Sequence, residues 1–243
     1  MTGILAAAGP VIPNFGGGGS NSCVRANHPL CWDWVTKNWS GLLEPRLVEH
    51  IELTLIAVAV GFAIAFGAAL VANRFGWFEL PFSLLSGFLY TIPSLALFQV
   101  LVGITGLSRN TVLIPLASYT LLILFRNTLI GLRSVPEDVR EAARGMGLTR
   151  RQTLLRVELP LAVPAILAGL QIATLTVISL ATISAYVVDQ GLGSPIFEAI
   201  QRGPFKTELI AAGGLAILLG FVAYLLIAIF QRLVAPWARF RGA

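Results

Sequence analysis

The sequence predicts an all-α, polytopic membrane protein with about five transmembrane helices and one polar helix-turn-helix set between two of them. The first sign is bulk composition: 56% of the 243 residues are hydrophobic and 12% are charged. The mean hydropathy of +0.80 is too high for a soluble domain of this size. The second is the continuity of the apolar runs. A helix rises about 1.5 Å per residue, so roughly 20 apolar residues cross the hydrocarbon core. Five windows qualify: Ile51 to Ala72, Leu80 to Ile104, Thr111 to Leu132, Leu159 to Val188 and Leu209 to Leu233. The fourth is long enough to include a bent or interfacial end. None alternates apolar and polar residues as the strands of a membrane barrel do. The windows define a membrane domain over residues 51–233, preceded by a segment 1–50 and followed by a tail 234–243.

Between the third and fourth windows lies the third sign, a charged stretch over residues 134–160. Ser134 stands three residues before Glu137 with Pro136 between them, which predicts a capping box and a helix starting near Pro136. Val139, Ala142, Ala143 and Met146 follow at i, i+3, i+4 and i+7, giving that helix one apolar face, while Arg140, Glu141 and Arg144 point elsewhere. Gly147 is able to take the left-handed conformation that ends such a helix. Thr149 and Gln152 offer a second capping box, and a second short helix is predicted to run toward Pro160. A soluble helical hairpin between two spans has the character of a docking loop for a cytosolic partner.

Basic residues orient the chain. With that hairpin inside, the inner side carries Arg74, Arg133, Arg140, Arg144, Arg150, Arg151, Arg156, Arg232, Arg239 and Arg241. The outer side keeps Arg25, Lys37, Arg46, Arg109, Arg202 and Lys206, and Arg126 falls within a span. This is the positive-inside bias, with the N-terminus outside and the C-terminus cytosolic. It accounts for a pI near 9.8 without a nucleic-acid partner, for which no interleaving of basic and aromatic residues exists.

The segment 1–50 is extracytoplasmic in this arrangement. Met1 to Ser22 is small and glycine-rich, without the basic start of a signal peptide, and reads as weakly ordered. Cys23 and Cys31, the only cysteines, lie on the oxidising side; a disulfide between them and two free thiols are both open. A metal site needs more ligands than these and His28 supply, so none is expected. Trp32, Trp34 and Trp39 mark Trp32 to His50 as an interfacial helix.

Three places in the spans invite a transport reading. Tyr90-Thr91-Ile92-Pro93-Ser94-Leu95-Ala96-Leu97 puts a proline at mid-membrane, which bends the helix, frees a carbonyl, and sets two hydroxyls beside it. Tyr90, Thr91, Pro93 and Ser94 are therefore candidates for lining a pathway, against the alternative of a packing kink. Arg126 lies near the inner end of the third span, where a cation either snorkels or finds a partner. Asp189, in Asp189-Gln190-Gly191-Leu192-Gly193 after the fourth span, either attracts a cation or is a solvated loop charge. Glu198 and Glu208 fall in the same outer segment.

Enzyme chemistry is not visible. His28 and His50 have no serine, cysteine or acid at a spacing that suggests a reactive cluster. No Gly-x-x-x-x-Gly-Lys-Ser/Thr loop is present, so energy would come from another subunit. A channel or proton-coupled carrier, the alternative from another class, more often pairs acids or histidines within spans.

The run Glu141-Ala142-Ala143-Arg144-Gly145-Met146-Gly147, followed by Val157-Glu158-Leu159-Pro160, resembles the loop of permease subunits of ATP-binding-cassette (ABC) importers. The resemblance covers roughly Ile51 to Leu233. It implies the type I importer permease fold, a second permease copy or paralogue, a cytosolic ABC ATPase dimer and an extracytoplasmic substrate-binding protein. ATP and Mg would bind the ATPase and no cofactor this chain. By motif position Glu141, Ala142, Ala143, Gly147 and Pro160 would form the ATPase coupling element. The Thr91-Ile92-Pro93-Ser94-Leu95-Ala96 run resembles the matching span of osmoprotectant permeases, which implies glycine betaine, choline or carnitine as substrate, with methionine or another small solute as the alternative. Those permeases carry a similar Gly-Leu-Gly element after the fourth span, usually behind small neutral residues, where this chain has Val188-Asp189-Gln190.

Overall fold

The computed structural model describes residues 22–203 and 205–237. The expectations for residues 1–21 and for Arg239 and Arg241 lie outside them. Among the described residues four helices are long and apolar enough to cross a membrane: α3 (Glu44–Arg74), α6 (Arg109–Arg133), α9 (Leu159–Ser184) and α11 (Lys206–Val234). A fifth crossing is made if α4 (Glu79–Thr91) and α5 (Ser94–Thr105) count as one span. Among the described residues there is no strand. Short α-helices lie between and before the spans: α1 (Ser22–Arg25) and α2 (Trp32–Lys37) before the first span, α7 (Glu137–Gly145) and α8 (Arg150–Thr153) in the polar hairpin, and α10 (Gly193–Gln201) before the last span.

The centre of the molecule is α6, packed between α3 and α9. Small residues bring the three backbones together. A Cβ on Gly131 would stand 2.9 Å from that of Ala165, and one on Gly169 2.6 Å from that of Asn127. Close approach of this kind is how helices associate where lipid removes the hydrophobic drive between them. Two buried clusters fill the joints, Leu53, Phe98, Leu116 and Val177 toward one end, and Ala69, Leu124, Phe125 and Ala173 toward the other. The last span is different: along α11, Ile217, Phe221 and Leu233 are exposed, a surface that suits lipid or another subunit.

Two expectations about segments are corrected. Within the second apolar window the chain does not merely bend but breaks: α4 and α5 meet at 96°. Ile92 and Pro93 both have ψ of 130°, because Pro93 lacks an N–H and forces the residue before it toward extended geometry, so the helical ladder stops there. Nor is Trp32 to His50 a single interfacial helix. A π turn (Trp39–Leu43) leads directly into α3, which begins before the apolar window and contains His50. Trp32 is exposed, but Trp34 is buried and meets Phe205 edge-on at 5.2 Å.

The segment before the first span is held to the start of the last. Cys23 and Cys31 are joined by a disulfide. The Cys31 N–H donates to Thr207 Oγ1 at 3.2 Å, and that hydroxyl donates to the His28 carbonyl at 2.9 Å. Glu208, expected in a polar outer segment, is buried in the first turn of α11.

Candidate functional site

The polar hairpin follows from local chemistry at its turn. After α7, Gly147 adopts φ +80°. Its N–H donates to the Arg144 carbonyl at 2.9 Å, and the Leu148 N–H to that of Ala143 at 3.1 Å. This paired closure of a helix end needs a left-handed residue, where a side chain would be strained. The second arm starts as expected: Thr149 and Gln152 exchange side-chain and backbone hydrogen bonds at both positions.

Two local expectations fail. Ser134 does not cap α7; its hydroxyl donates back to the Gly131 carbonyl at 2.8 Å, and Pro136 occupies the capping position. Glu137 instead pairs with Arg140 and Arg144. The second arm also does not stop at Pro160. It passes from α8 through a π turn (Leu154–Glu158) into α9 as one 35-residue run. The wide turn accommodates the hydrogen bond that Pro160 cannot donate.

What fixes the hairpin to the spans was not legible in its own sequence. Arg140 donates to the Leu132 carbonyl at 2.8 Å, at the end of α6. Its Nε lies 3.1 Å from Glu158, an ion pair without an aligned hydrogen bond. Asn73, in the last turn of α3, reaches the other Glu158 oxygen at 3.4 Å. One arginine thus links the hairpin to α6 and to the entrance of α9. Of the expected apolar face, Ala143 is buried and Val139 half-buried, while Ala142 and Met146 are exposed. Glu141 is exposed and has no side-chain partner among the described residues. The hairpin therefore presents Glu141, Ala142 and Met146 outward, while Glu137, Arg140, Arg144 and Glu158 pair with one another.

At the α4–α5 break, Tyr90, Thr91 and Pro93 are exposed and Ser94 is half-buried. The Thr91 hydroxyl turns back to the Phe88 carbonyl at 2.7 Å. The carbonyl freed beside Pro93 is that of Ile92, which accepts the phenolic O–H of Tyr119 on α6. Tyr119 is buried and its ring meets Tyr90 edge-on at 6.0 Å. Tyr119 was missed because it is 27 residues away; a tyrosine within an apolar span was its one signal. Arg126 is exposed on α6 with no ion pair among the described residues, seven residues from the helix end.

At the opposite end, Asp189 is neither a free loop charge nor an open cation attractor. Both its carboxylate oxygens accept from Arg46 at 2.9 Å. Glu49 accepts the Gly191 N–H at 2.7 Å, and buried His50 accepts the Leu192 N–H on Nδ1 at 3.2 Å. Nε2 of His50 therefore carries the proton and donates to the Ile178 carbonyl at 3.1 Å. A Cβ on Gly191 would stand 2.9 Å from His50, and one on Gly193 2.0 Å from the Thr182 carbonyl, which accounts for both glycines of the Gly-Leu-Gly element.

Residues 57–239 match the sequence family described as the binding-protein-dependent transport system inner membrane component. The chain belongs to this family. It is 30% identical over 197 residues to the choline transport system permease protein OpuBB of Bacillus subtilis, covering 81% of this chain and 90% of that protein. With the osmoprotectant import permease protein OsmW of Salmonella typhimurium it shares 34% identity over 187 residues, 74% of this chain and 85% of the other. Among solved structures it resembles a chain of the MetNI methionine ABC transporter in an inward facing conformation, with a TM-score of 0.69 over 82% of this chain and 98% of that one. At 20% identity that likeness concerns the fold.

Proposed function

We propose that this chain is the membrane-spanning permease subunit of an ATP-driven ABC importer, and that its pathway carries a quaternary-amine osmoprotectant such as glycine betaine, choline or carnitine. The hairpin carries this reading. Arg140 and Glu158 brace it against the spans, while Glu141, Ala142 and Met146 are exposed, with no side-chain hydrogen bond or ion pair among the described residues. Glu141 offers a charge to a basic group of a cytosolic ATPase, Ala142 and Ala143 keep the surface low, and Gly147 turns the chain. Motion of the ATPase then passes through Arg140 to α6 and α9 together. Pro160, at the entrance of α9, lets the second arm continue into the span. The orientation is hairpin and C-terminus in the cytosol and N-terminus outside, and two permeases share one pathway. ATP and Mg belong to the ATPase dimer, and an external binding protein delivers the solute.

The pathway reading rests on the α4–α5 break. Tyr90 is 43% exposed, and attraction of a methylated ammonium to its ring would be worth about 0.5–2 kcal/mol, weak enough for release. Relatives named for choline and osmoprotectant transport support this substrate class. The test is ATP-driven uptake by the reconstituted transporter with its binding protein. Glycine betaine, choline or carnitine should be accumulated; accumulation of methionine with none of the three would overturn the substrate assignment.

A further inference from the structure

Where the hairpin meets the end of the first span, the chain forms an open cleft of about 710 Å³. Its lining is of two kinds. Leu70, Val71 and Leu154 supply an apolar wall, and Val71 and Phe75, 41% and 46% exposed, carry the apolar outer surface of α3 into the cleft. The polar side is dominated by five arginines, Arg74, Arg140, Arg144, Arg150 and Arg151, against one acid, Glu158, which is paired with Arg140.

The charge there is not neutralised from within. Arg140 and Arg144 are engaged by Glu137 and Glu158. Arg74, Arg150 and Arg151 make no ion pair with any described residue, and the only contact of a charged head among them is Arg74 over the Phe75 ring at 5.3 Å. Three guanidinium groups with no ion-pair partner among the described residues line a cleft that is apolar on one side, at the end of the first span. An arginine fork matches the oxygens of a phosphate, and basic pockets between helices on the cytoplasmic side suit anionic headgroups.

From this we infer that the cleft is a binding site for the phosphate headgroup of an anionic phospholipid, with Arg74, Arg150 and Arg151 holding the phosphodiester and Leu70, Val71 and Leu154 receiving the upper acyl chain. The inference rests on the proposed cytosolic orientation of the hairpin. A lipid seated there ties the second arm of the hairpin to the end of α3, and so supports the element that receives the ATPase.

The experiment uses the permease co-purified with its ATPase from a mixture of phosphatidylglycerol and phosphatidylcholine, with retained lipid read by native mass spectrometry. The wild-type complex should keep phosphatidylglycerol in preference to phosphatidylcholine. Each basic residue near an anionic headgroup contributes a factor of about five, so combining Arg74→Gln, Arg150→Gln and Arg151→Gln should weaken retention on the order of 100-fold. Lysine at the same three positions, which keeps the charge, should restore most of it and guards against a variant that fails to fold. Equal retention by the glutamine variant, or retention by the permease alone and not by the complex, would overturn the site, the latter because the ATPase would fill the cleft. Displacement by millimolar inorganic phosphate would assign the guanidinium groups to a free anion and overturn the lipid. Failure of the ATPase to co-purify with the wild type would count against the docking reading, separately from lipid retention.

Discussion

Arg140→Ala should detach the hairpin from the membrane domain while leaving both arms helical. The arginine loses a 2.8 Å bond to the Leu132 carbonyl and a 3.1 Å ion pair with Glu158. A hydrogen bond from a charged group contributes about 1.5–3 kcal/mol. The Arg140 and Glu158 side chains are 21% and 14% exposed, so their pair is partly screened and adds about 1 kcal/mol. The contact with Glu137, 57% exposed, adds little. The sum is about 2.5–4 kcal/mol of docking free energy, or a shift of roughly 60- to 700-fold between docked and undocked hairpin. Hydrogen exchange on the purified transporter should show faster exchange over residues 137–158 and little change within α6. ATP-driven uptake should fall while hydrolysis persists. Glu158→Ala should behave alike, and the double variant should cost clearly less than the sum of the singles. Unchanged exchange across the hairpin, or additive single effects, would refute the assignment of Arg140 as the brace.

Other consequences follow from packing and topology. Gly131→Ala places a Cβ 2.9 Å from Ala165 and should lower stability by about 1–3 kcal/mol, whereas Gly67→Ala meets nothing within 4 Å and should be tolerated; thermal unfolding midpoints of the two distinguish them. Tyr119→Phe leaves the Ile92 carbonyl without its donor at a cost of about 1–3 kcal/mol, and a cysteine at Ser94 should then react faster with polar thiol reagents. No change in labelling would mean that Tyr119 does not hold the break. After reduction, a membrane-impermeant thiol reagent on intact cells should label Cys23 or Cys31; protection of both until lysis would invert the orientation.

The spans were legible because continuous apolar runs depend on each residue's own chemistry, and the Gly147 turn and the Thr149 box because their partners lie within a few positions. What escaped had distant partners. Arg46 and Asp189 are 143 positions apart, and so each read as a free charge. Tyr119 and Ile92 are separated by a whole helix, so Pro93 predicted a bend but not a 96° break with its carbonyl satisfied. The Ser134 box failed for the opposite reason: Gly131, three residues back, competed for the same hydroxyl. Trp34 looked interfacial until Phe205 supplied a protein surface for it.

The most direct test of a hairpin that couples hydrolysis to transport is the ratio of solute moved to ATP hydrolysed in proteoliposomes, for wild type, Glu141→Lys and Gly147→Val. Gly147 sits at φ +80°, where a β-branched residue costs at least about 1–2 kcal/mol, enough to shift the turn roughly tenfold. Glu141→Lys reverses an exposed charge that no described residue neutralises. In both variants the ratio should fall about tenfold or more, with membrane insertion and basal hydrolysis retained. A ratio equal to the wild type in both would contradict the coupling role of this hairpin.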